Sequence, residues 1–175
     1  MATPDFILEL RKHIGHAPLW IPGVTAIVVR PAPGAPPLIL PPEKDLDPAL
    51  VEILVVQRSD NAQWTPVTGI VDPGEEPAIA AQREILEEAG VHARPIRLLS
   101  VETVGPITYA NGDIAEYLDL TFLFEWGSGE PWPADGENTQ TAFIRGDKLP
   151  HMNPRFTSAV ARALAARPEA DFIAE

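Results

Sequence analysis

Apolar residues along the chain fall into short continuous runs of β-branched side chains, which are typical of buried strands. Residues 23–29 and 51–59 are two such runs. Two more strands are predicted near residues 95–104 and 115–126, joined by an Asn-Gly-Asp turn. A short strand is predicted at residues 141–145, after a long polar loop at residues 127–140.

Three other segments have helical spacing of their apolar residues. The first is residues 4–14 and the last is residues 155–167. Between them, residues 77–89 predict a helix that starts at Pro77 and stops at Gly90, a residue type that favours helix ends. Residues 31–48 contain seven prolines and predict an extended loop insertion. Strands interspersed with helices indicate a single mixed α/β domain over residues 1–175.

Composition narrows the function classes. The net charge is −12, which disfavours binding to long nucleic acid or to an anionic membrane surface. No apolar run is long enough to span a bilayer, and the first residues do not resemble a signal peptide. With no cysteine there is no thiolate metal site, and a cytoplasmic location is expected.

The predicted helix at residues 77–89 concentrates carboxylates in an already acidic chain. Glu84, Glu87 and Glu88 are spaced three and four apart, so they lie on neighbouring parts of one helix surface and repel one another. They form either a solvated acidic face or a site for hard cations such as Mg²⁺ or Mn²⁺, which prefer oxygen ligands.

This stretch resembles the signature of the Nudix hydrolases, G-x5-E-x7-R-E-U-x-E-E-x-G-U, where U is a bulky aliphatic residue. The matching residues are Gly69, Glu75, Arg83, Glu84, Ile85, Glu87, Glu88, Gly90 and Val91. The resemblance implies an α/β/α sandwich with a mixed sheet between helices. It also implies divalent-metal-dependent hydrolysis of a pyrophosphate that links a nucleoside to another moiety. A small nucleotide is the expected partner.

The resemblance implies roles for individual residues. Glu84, Glu87, Glu88 and the Gly69 carbonyl would bind metal, with Glu84 and Glu87 also counted as catalytic. Glu75 and Arg83 would form a supporting ion pair that orients the carboxylates.

Three further residues are less sharply defined by the resemblance. The catalytic base would come from the loop before the last strand, with Glu137 as first candidate and Asp135 as second, although either can be a solvated loop acid. Arg58 would approach the substrate phosphates or remain a surface arginine. Five aromatic residues could stack on a base or anchor the core: Trp64, Tyr109, Tyr117, Trp126 and Trp132.

The substrate stays open at the level of sequence. ADP-ribose or another nucleotide sugar is favoured over (d)NTPs, because the chain's size, N-terminal helix and proline-rich insertion resemble those members. Two alternatives are a non-catalytic Nudix-like nucleotide sensor or regulator and an interaction domain whose acidic helix binds a basic partner. A homodimer is expected, because many relatives form one.

Overall fold

Each apolar run forms a strand, and all of these strands except β2 are longer than the run itself. The computed structural model describes residues 3–172. Its helices are α1 (Asp5–Ile14), α2 (Pro77–Ala89) and α3 (Pro154–Leu164). Its strands are β1 (Leu19–Pro31), β2 (Val51–Arg58), β3 (Trp64–Thr65), β4 (Val67–Ile70), β5 (His92–Thr108), β6 (Ile114–Ser128), β7 (Asn138–Arg145) and β8 (Asp171–Phe172).

The described strands form one mixed, eight-stranded sheet in the order β3-β2-β1-β6-β5-β8. β4 pairs antiparallel with β1, and β7 pairs antiparallel with β2. β1 runs parallel to β6 from Leu19 opposite Ala115 to Val29 opposite Glu125. β5 and β6 form a long antiparallel hairpin around the turn at residues 111–113.

Helices cover both faces of the sheet because side chains along each strand alternate in direction. In β1, Val24, Ala26 and Val28 pack in the core that contains the apolar side of α2. Ile27 and Val29 pack in the core that contains α3. Near the start of β1, α1 buries Ile7 in a smaller cluster with Ile21 and Ala115. The result is the predicted α/β/α sandwich.

Several boundaries differ from the sequence-based prediction. α3 ends at Leu164 instead of 167, because Ala165 is extended and Arg97 Nη2 donates to the carbonyls of Arg162 and Ala165. The predicted loop at 127–140 is also too long, since β7 begins at Asn138 and pairs with β2. β8 was not predicted, because it has only two residues.

The N-terminal helix and the proline-rich insertion are present as separate features. α1 begins one residue later than predicted. Pro31 belongs to β1, and the insertion ends in a short 3-10 turn at Pro48–Leu50. Leu38, Leu40 and Leu46 of the insertion pack on the α3 side of the sheet.

The predicted domain limits at 1–2 and 173–175 lie outside the described residues. Within residues 3–172, no helix has the length and apolar character needed to cross a membrane.

Candidate active site

The position of α2 brings its carboxylates to one edge of the sheet. The helix begins with Pro77 and ends at Gly90, whose φ of +65° is a left-handed conformation that suits glycine. Four residues apart, Glu84 and Glu88 both face the protein and are buried. Glu87 lies on the outer side, with 53% of its side chain exposed. The two buried carboxylates and the exposed one thus occupy different depths along the same helix.

Gly69 is required by the path of the Glu84 side chain. Gly69 lies in β4, beside the middle of α2, and a Cβ at this position would overlap the side chain of Glu84. The buried carboxylate is therefore packed directly against strand backbone. The motif therefore needs glycine at position 69, because any side chain there would displace Glu84.

Arg83 connects the acidic residues of the motif. Its Nε and Nη2 donate to both carboxylate oxygens of Glu75 at 3.0 and 2.9 Å. Its Nη1 donates to Glu84 at 3.0 Å and to Glu87 at 3.2 Å. These hydrogen bonds lower the pKa of Glu75. One guanidinium therefore holds three carboxylates in place.

Glu84 and Glu88 are held in surroundings that disfavour their charged forms. Burial raises the pKa of Glu84 to about 7, against the opposing effect of Arg83. Burial also raises the pKa of Glu88 to about 7, and the charge of Glu84 adds to this shift. Each of the two carboxyl groups is therefore partly protonated near neutral pH.

Asn138 is a site residue that the sequence analysis missed. It is buried at the start of β7, and its Nδ2 donates to Glu88 Oε2 at 3.1 Å. This hydrogen bond favours the charged form of Glu88. No motif marks Asn138 in the sequence, since it follows a polar loop in which asparagine is ordinary.

The loop before β7 is docked on the C-terminal end of α2. Trp132 N donates to the Ala89 carbonyl at 3.1 Å, and Ala134 N donates to the Glu88 carbonyl at 3.2 Å. The Trp132 indole lies against Gly90, where a Cβ would overlap it. The helix end is thus capped by the loop that carries both candidate bases.

The two candidate bases differ in their surroundings. Asp135 is exposed, accepts a hydrogen bond from Glu137 N at 3.0 Å, and lies close enough to Glu88 to raise its pKa. Glu137 is half-buried, and its carbonyl accepts a hydrogen bond from Ser59 N at 2.9 Å. Both residues are therefore brought to the same edge as Glu88.

Arg58 stands at the end of β2 on the border of a cleft. Its Nε and Nη2 donate to Asp60 at 3.0 and 2.7 Å. The hydrogen bond to Asp60 raises the pKa of Arg58, and the negative charge of Glu88 adds to the shift. Arg58 is therefore held by Asp60 while facing the carboxylate side of the site.

The cleft has a volume of about 740 Å³ and runs from the motif glycine to the start of α3. Gly69 and Arg58 line one part of it, and Asp119 and Arg155 line another. Two of the five aromatic residues, Tyr109 and Tyr117, also line it, with their hydroxyls 2.5 Å apart. Asp119 and Arg155 were not predicted, because they are far apart in sequence and belong to no motif.

The carboxylates can supply metal ligands, but they are not arranged as a finished metal cage. Among residues 3–172, no group of three His, Asp or Glu side chains already converges on a metal position. In the structure, Arg83 supplies the positive charge between Glu75, Glu84 and Glu87. Glu84, Glu87, Glu88 and the Gly69 carbonyl are all hard oxygen donors, which is the donor set that Mg²⁺ and Mn²⁺ prefer.

A mixed sheet between helices, with a glutamate-rich helix at the edge of a cleft, defines the class of Nudix-fold proteins. The structure is similar to a solved NUDIX hydrolase from Nitrosomonas europaea, with a TM-score of 0.57 and 22% identity. That match covers 82% of this chain and 88% of the other chain. The chain belongs to the NUDIX family, since the family model described as NUDIX domain matches residues 40–165.

Curated relatives match parts of the chain. The 8-oxo-dGDP phosphatase NUDT18 of Homo sapiens is 45% identical over 105 residues, which cover 57% of this chain and 30% of the human protein. The asymmetrical bis(5'-nucleosyl)-tetraphosphatase of Mus musculus is 40% identical over 55 residues, which cover 31% of this chain and 37% of that protein. Each match therefore spans well under half of the relative's length.

Proposed function

We propose that this protein is a divalent-metal-dependent Nudix pyrophosphohydrolase that cleaves a nucleoside diphosphate linked to another moiety. The observation that carries the proposal is the position of α2. Glu84 of this helix packs against Gly69, and Gly69 lines a cleft of about 740 Å³ that is large enough for a nucleotide. The family membership and the complete motif support the same reaction class.

The residues present fit a divalent cation. Glu84 and Glu88 are buried carboxylates whose pKa values are raised to about 7, so a cation beside them would favour their charged forms. Glu84, Glu87, Glu88 and the Gly69 carbonyl would hold Mg²⁺ or Mn²⁺. When bound, such an ion neutralises phosphate oxygens and lowers the pKa of a coordinated water.

The remaining residues have two roles: some orient the metal-binding carboxylates, and one deprotonates the attacking water. Arg83 holds Glu75, Glu84 and Glu87 through hydrogen bonds of 2.9 to 3.2 Å, and Asn138 holds Glu88. Glu137 is the first candidate for the base that takes a proton from the attacking water, and Asp135 is the second. Substitution of each by its amide distinguishes them, since only the true base should abolish the acidic limb of the pH–rate profile.

Arg58 is the proposed contact for the substrate phosphates. It lines the cleft and carries a positive charge near Glu88. A nucleotide sugar is placed first among the substrates and (d)NTPs second, because the chain's size, its N-terminal helix and its proline-rich insertion resemble the nucleotide-sugar members of the family. Two relatives, an 8-oxo-dGDP phosphatase and a bis(5'-nucleosyl)-tetraphosphatase, act within the same broad reaction class.

The test is product release from a panel of ADP-ribose, GDP-sugars, NADH, diadenosine polyphosphates and (d)NTPs. Each substrate is incubated with Mg²⁺, with Mn²⁺ and with chelator, using wild-type protein and Glu87→Gln. Metal-dependent cleavage that the substitution abolishes is the expected result. Nucleotide binding without turnover, by folded protein supplied with metal, would instead support the non-catalytic sensor.

A homodimer remains a prediction, and light scattering coupled to size-exclusion chromatography measures it directly. A cytoplasmic location is likewise a prediction from the sequence, and fluorescence microscopy of the tagged protein in its native cell tests it.

A further inference from the structure

The cleft contains a second charged cluster, away from the motif. Asp119 of β6 is buried on the floor of the cleft. Its two oxygens accept hydrogen bonds from the hydroxyl of Thr25 at 2.9 and 3.0 Å and from that of Thr121 at 3.0 Å. Arg155 Nη1 completes the set at 3.1 Å. We call these four residues the floor cluster.

Arg155 is anchored by one end of its guanidinium only. Nη1 binds Asp119 and approaches the Thr25 hydroxyl at 3.5 Å, and the guanidinium lies 4.3 Å from the centre of the Phe156 ring. Within the described part of the chain, no acceptor binds the other edge, formed by Nε and Nη2. A quarter of the side chain is exposed, at 25%, and it lines the cleft, so this edge is open to a ligand.

In three other arginines of this protein, the Nε and Nη2 edge donates to a carboxylate. Both nitrogens donate to the two oxygens of one carboxylate in each pair: Arg58 with Asp60, Arg83 with Glu75 and Arg145 with Asp147. The Arg155 edge is a rigid pair of parallel donors whose orientation is fixed by Asp119 and Phe156. Such a pair matches two neighbouring acceptors that lie in one plane.

We propose that Arg155 reads the base of the nucleotide and selects guanine, through hydrogen bonds from Nε and Nη2 to guanine O6 and N7. The proposal rests on the proposed function, because it assigns the base-binding end of the same cleft. It changes the expected base from the adenine of ADP-ribose to guanine, so GDP-linked compounds become the favoured substrates.

Charge favours a neutral base over an anionic group at this position. Arg155 is paired with Asp119, whose side chain is only 8% exposed, so the floor cluster has no excess positive charge to attract a phosphate or a carboxylate. The case of Arg58 differs, because its partner Asp60 is 57% exposed and water screens its charge. A second anion would also lie close to the buried Asp119 carboxylate, which is repulsive. Ile21, Ile107 and the two cleft tyrosines give the same cavity apolar and aromatic walls that suit a flat ring.

The donor pair separates guanine from its competitors. Guanine presents two acceptors on this edge, whereas adenine presents one acceptor and one amino donor. The oxidised base 8-oxoguanine carries a hydrogen on N7 and so also loses one acceptor. A correct bidentate pair discriminates against a wrong base by about 5- to 150-fold in affinity.

The experiment measures calorimetric binding of GMP, AMP and 8-oxo-GMP to the full chain in the presence of chelator. GMP is expected to bind more tightly than both competitors, by a ratio within that range. Arg155→Lys keeps the charge beside Asp119 but removes the donor pair, so it should bring the GMP and AMP affinities together. Arg145→Lys makes the same change outside the cleft and should leave the ratio as in the wild type.

Equal wild-type affinities for GMP and AMP would overturn the proposal, whatever the variants do. So would 8-oxo-GMP binding as tightly as GMP, or a preference that survives in folded Arg155→Lys. Turnover without guanine preference would remove this assignment and leave the hydrolase intact. Guanine-selective binding without metal-dependent turnover would retain the assignment and remove the hydrolase.

Discussion

Two charged clusters differ in their balance of charge: one lies beside the cleft residue Gly69, and the other forms part of the cleft lining. The carboxylate cluster, around α2, sets four acidic side chains against one guanidinium; its members are Glu75, Arg83, Glu84, Glu87 and Glu88. The floor cluster sets one carboxylate against one guanidinium and adds two hydroxyl donors. The first has excess negative charge and the second has none.

That difference indicates what each cluster is suited to bind. Burial, with a smaller contribution from the neighbouring carboxylates, raises the pKa of Glu84 and Glu88 to about 7, and a bound cation would favour their charged forms. A neutral cluster with an open donor edge gives no advantage to an ion and instead favours a neutral hydrogen-bonding group. Each cluster can be altered separately, because the residues of one make no hydrogen bond to the residues of the other within residues 3–172.

The variant Glu87→Gln should distinguish the functions of the two clusters most clearly, because it removes one charge from the carboxylate cluster at an exposed position. We expect kcat to fall on the order of 10³-fold or more, because metal-assisted charge stabilisation supplies several kcal/mol. GMP binding in chelator should not change. Glu76→Gln, an exposed glutamate just before α2, is the matched control and should retain full turnover. Undiminished turnover by Glu87→Gln would remove Glu87 from the metal site.

Gly69→Ala tests whether the packing of Glu84 matters as much as its charge. The added methyl group overlaps the Glu84 side chain, so the carboxylate must move. We expect a loss of about 1–3 kcal/mol in the free energy of unfolding, together with weaker Mg²⁺ binding. Denaturant titration and metal-binding calorimetry measure the two effects. Gly127→Ala, which like Gly69 has no left-handed φ and whose Cβ would approach only the His92 backbone, is the control for the loss of a glycine. Wild-type metal affinity in Gly69→Ala would contradict the expectation.

The variant Asn138→Ala tests whether a residue outside the motif supports metal binding by Glu88. Glu88 keeps its burial but loses its hydrogen-bond donor, so its charged form becomes less favourable. Loss of a group that orients a metal ligand typically costs about 10- to 100-fold in metal affinity. Gln140→Ala, two residues along β7 and exposed, should leave the affinity unchanged. If both variants bind Mg²⁺ equally well, Asn138 does not support the site.

The smallest expected effect is on the stability of the metal-free protein as a function of pH. Glu84 and Glu88 have pKa values of about 7 when folded and an ordinary value of 4.5, so the folded state binds more protons between these values. The free energy of unfolding should therefore fall as pH rises from about 4.5 to 7. Thermal melts in chelator should show Tm decreasing across this window. Glu84→Gln should flatten the slope, and Mg²⁺ should reverse it. A Tm that rises through the window in chelator would show that other groups dominate.

The sequence was most informative where one local segment carries the chemistry. The limits of α2, residues 77–89, were predicted correctly because Pro77 and Gly90 are strong local signals. The nearness of Glu75 to Arg83 follows from the same segment. Family membership, too, rests on residues close together in the chain.

The floor cluster could not be predicted, since it depends on long-range pairing. Thr25 and Thr121 become neighbours only because β1 runs parallel to β6, and Arg155 comes from α3, much further along the chain. Asn138 reaches Glu88 through the pairing of β7 with β2. Periodicity identifies strands, but it does not say which strands pair or in which register.

The pairing of β1 with β6 also has a consequence during synthesis. All residues from 23 to 29 of β1 are buried, and the parallel partner of this strand is made nearly a hundred residues later. At about 5–20 residues per second, the nascent β1 waits on the order of 5 to 20 s for that partner. During this interval an aggregation-prone strand leaves the ribosome without its central neighbour. Translation speed and chaperone supply should therefore influence the yield of folded protein more than its final stability does.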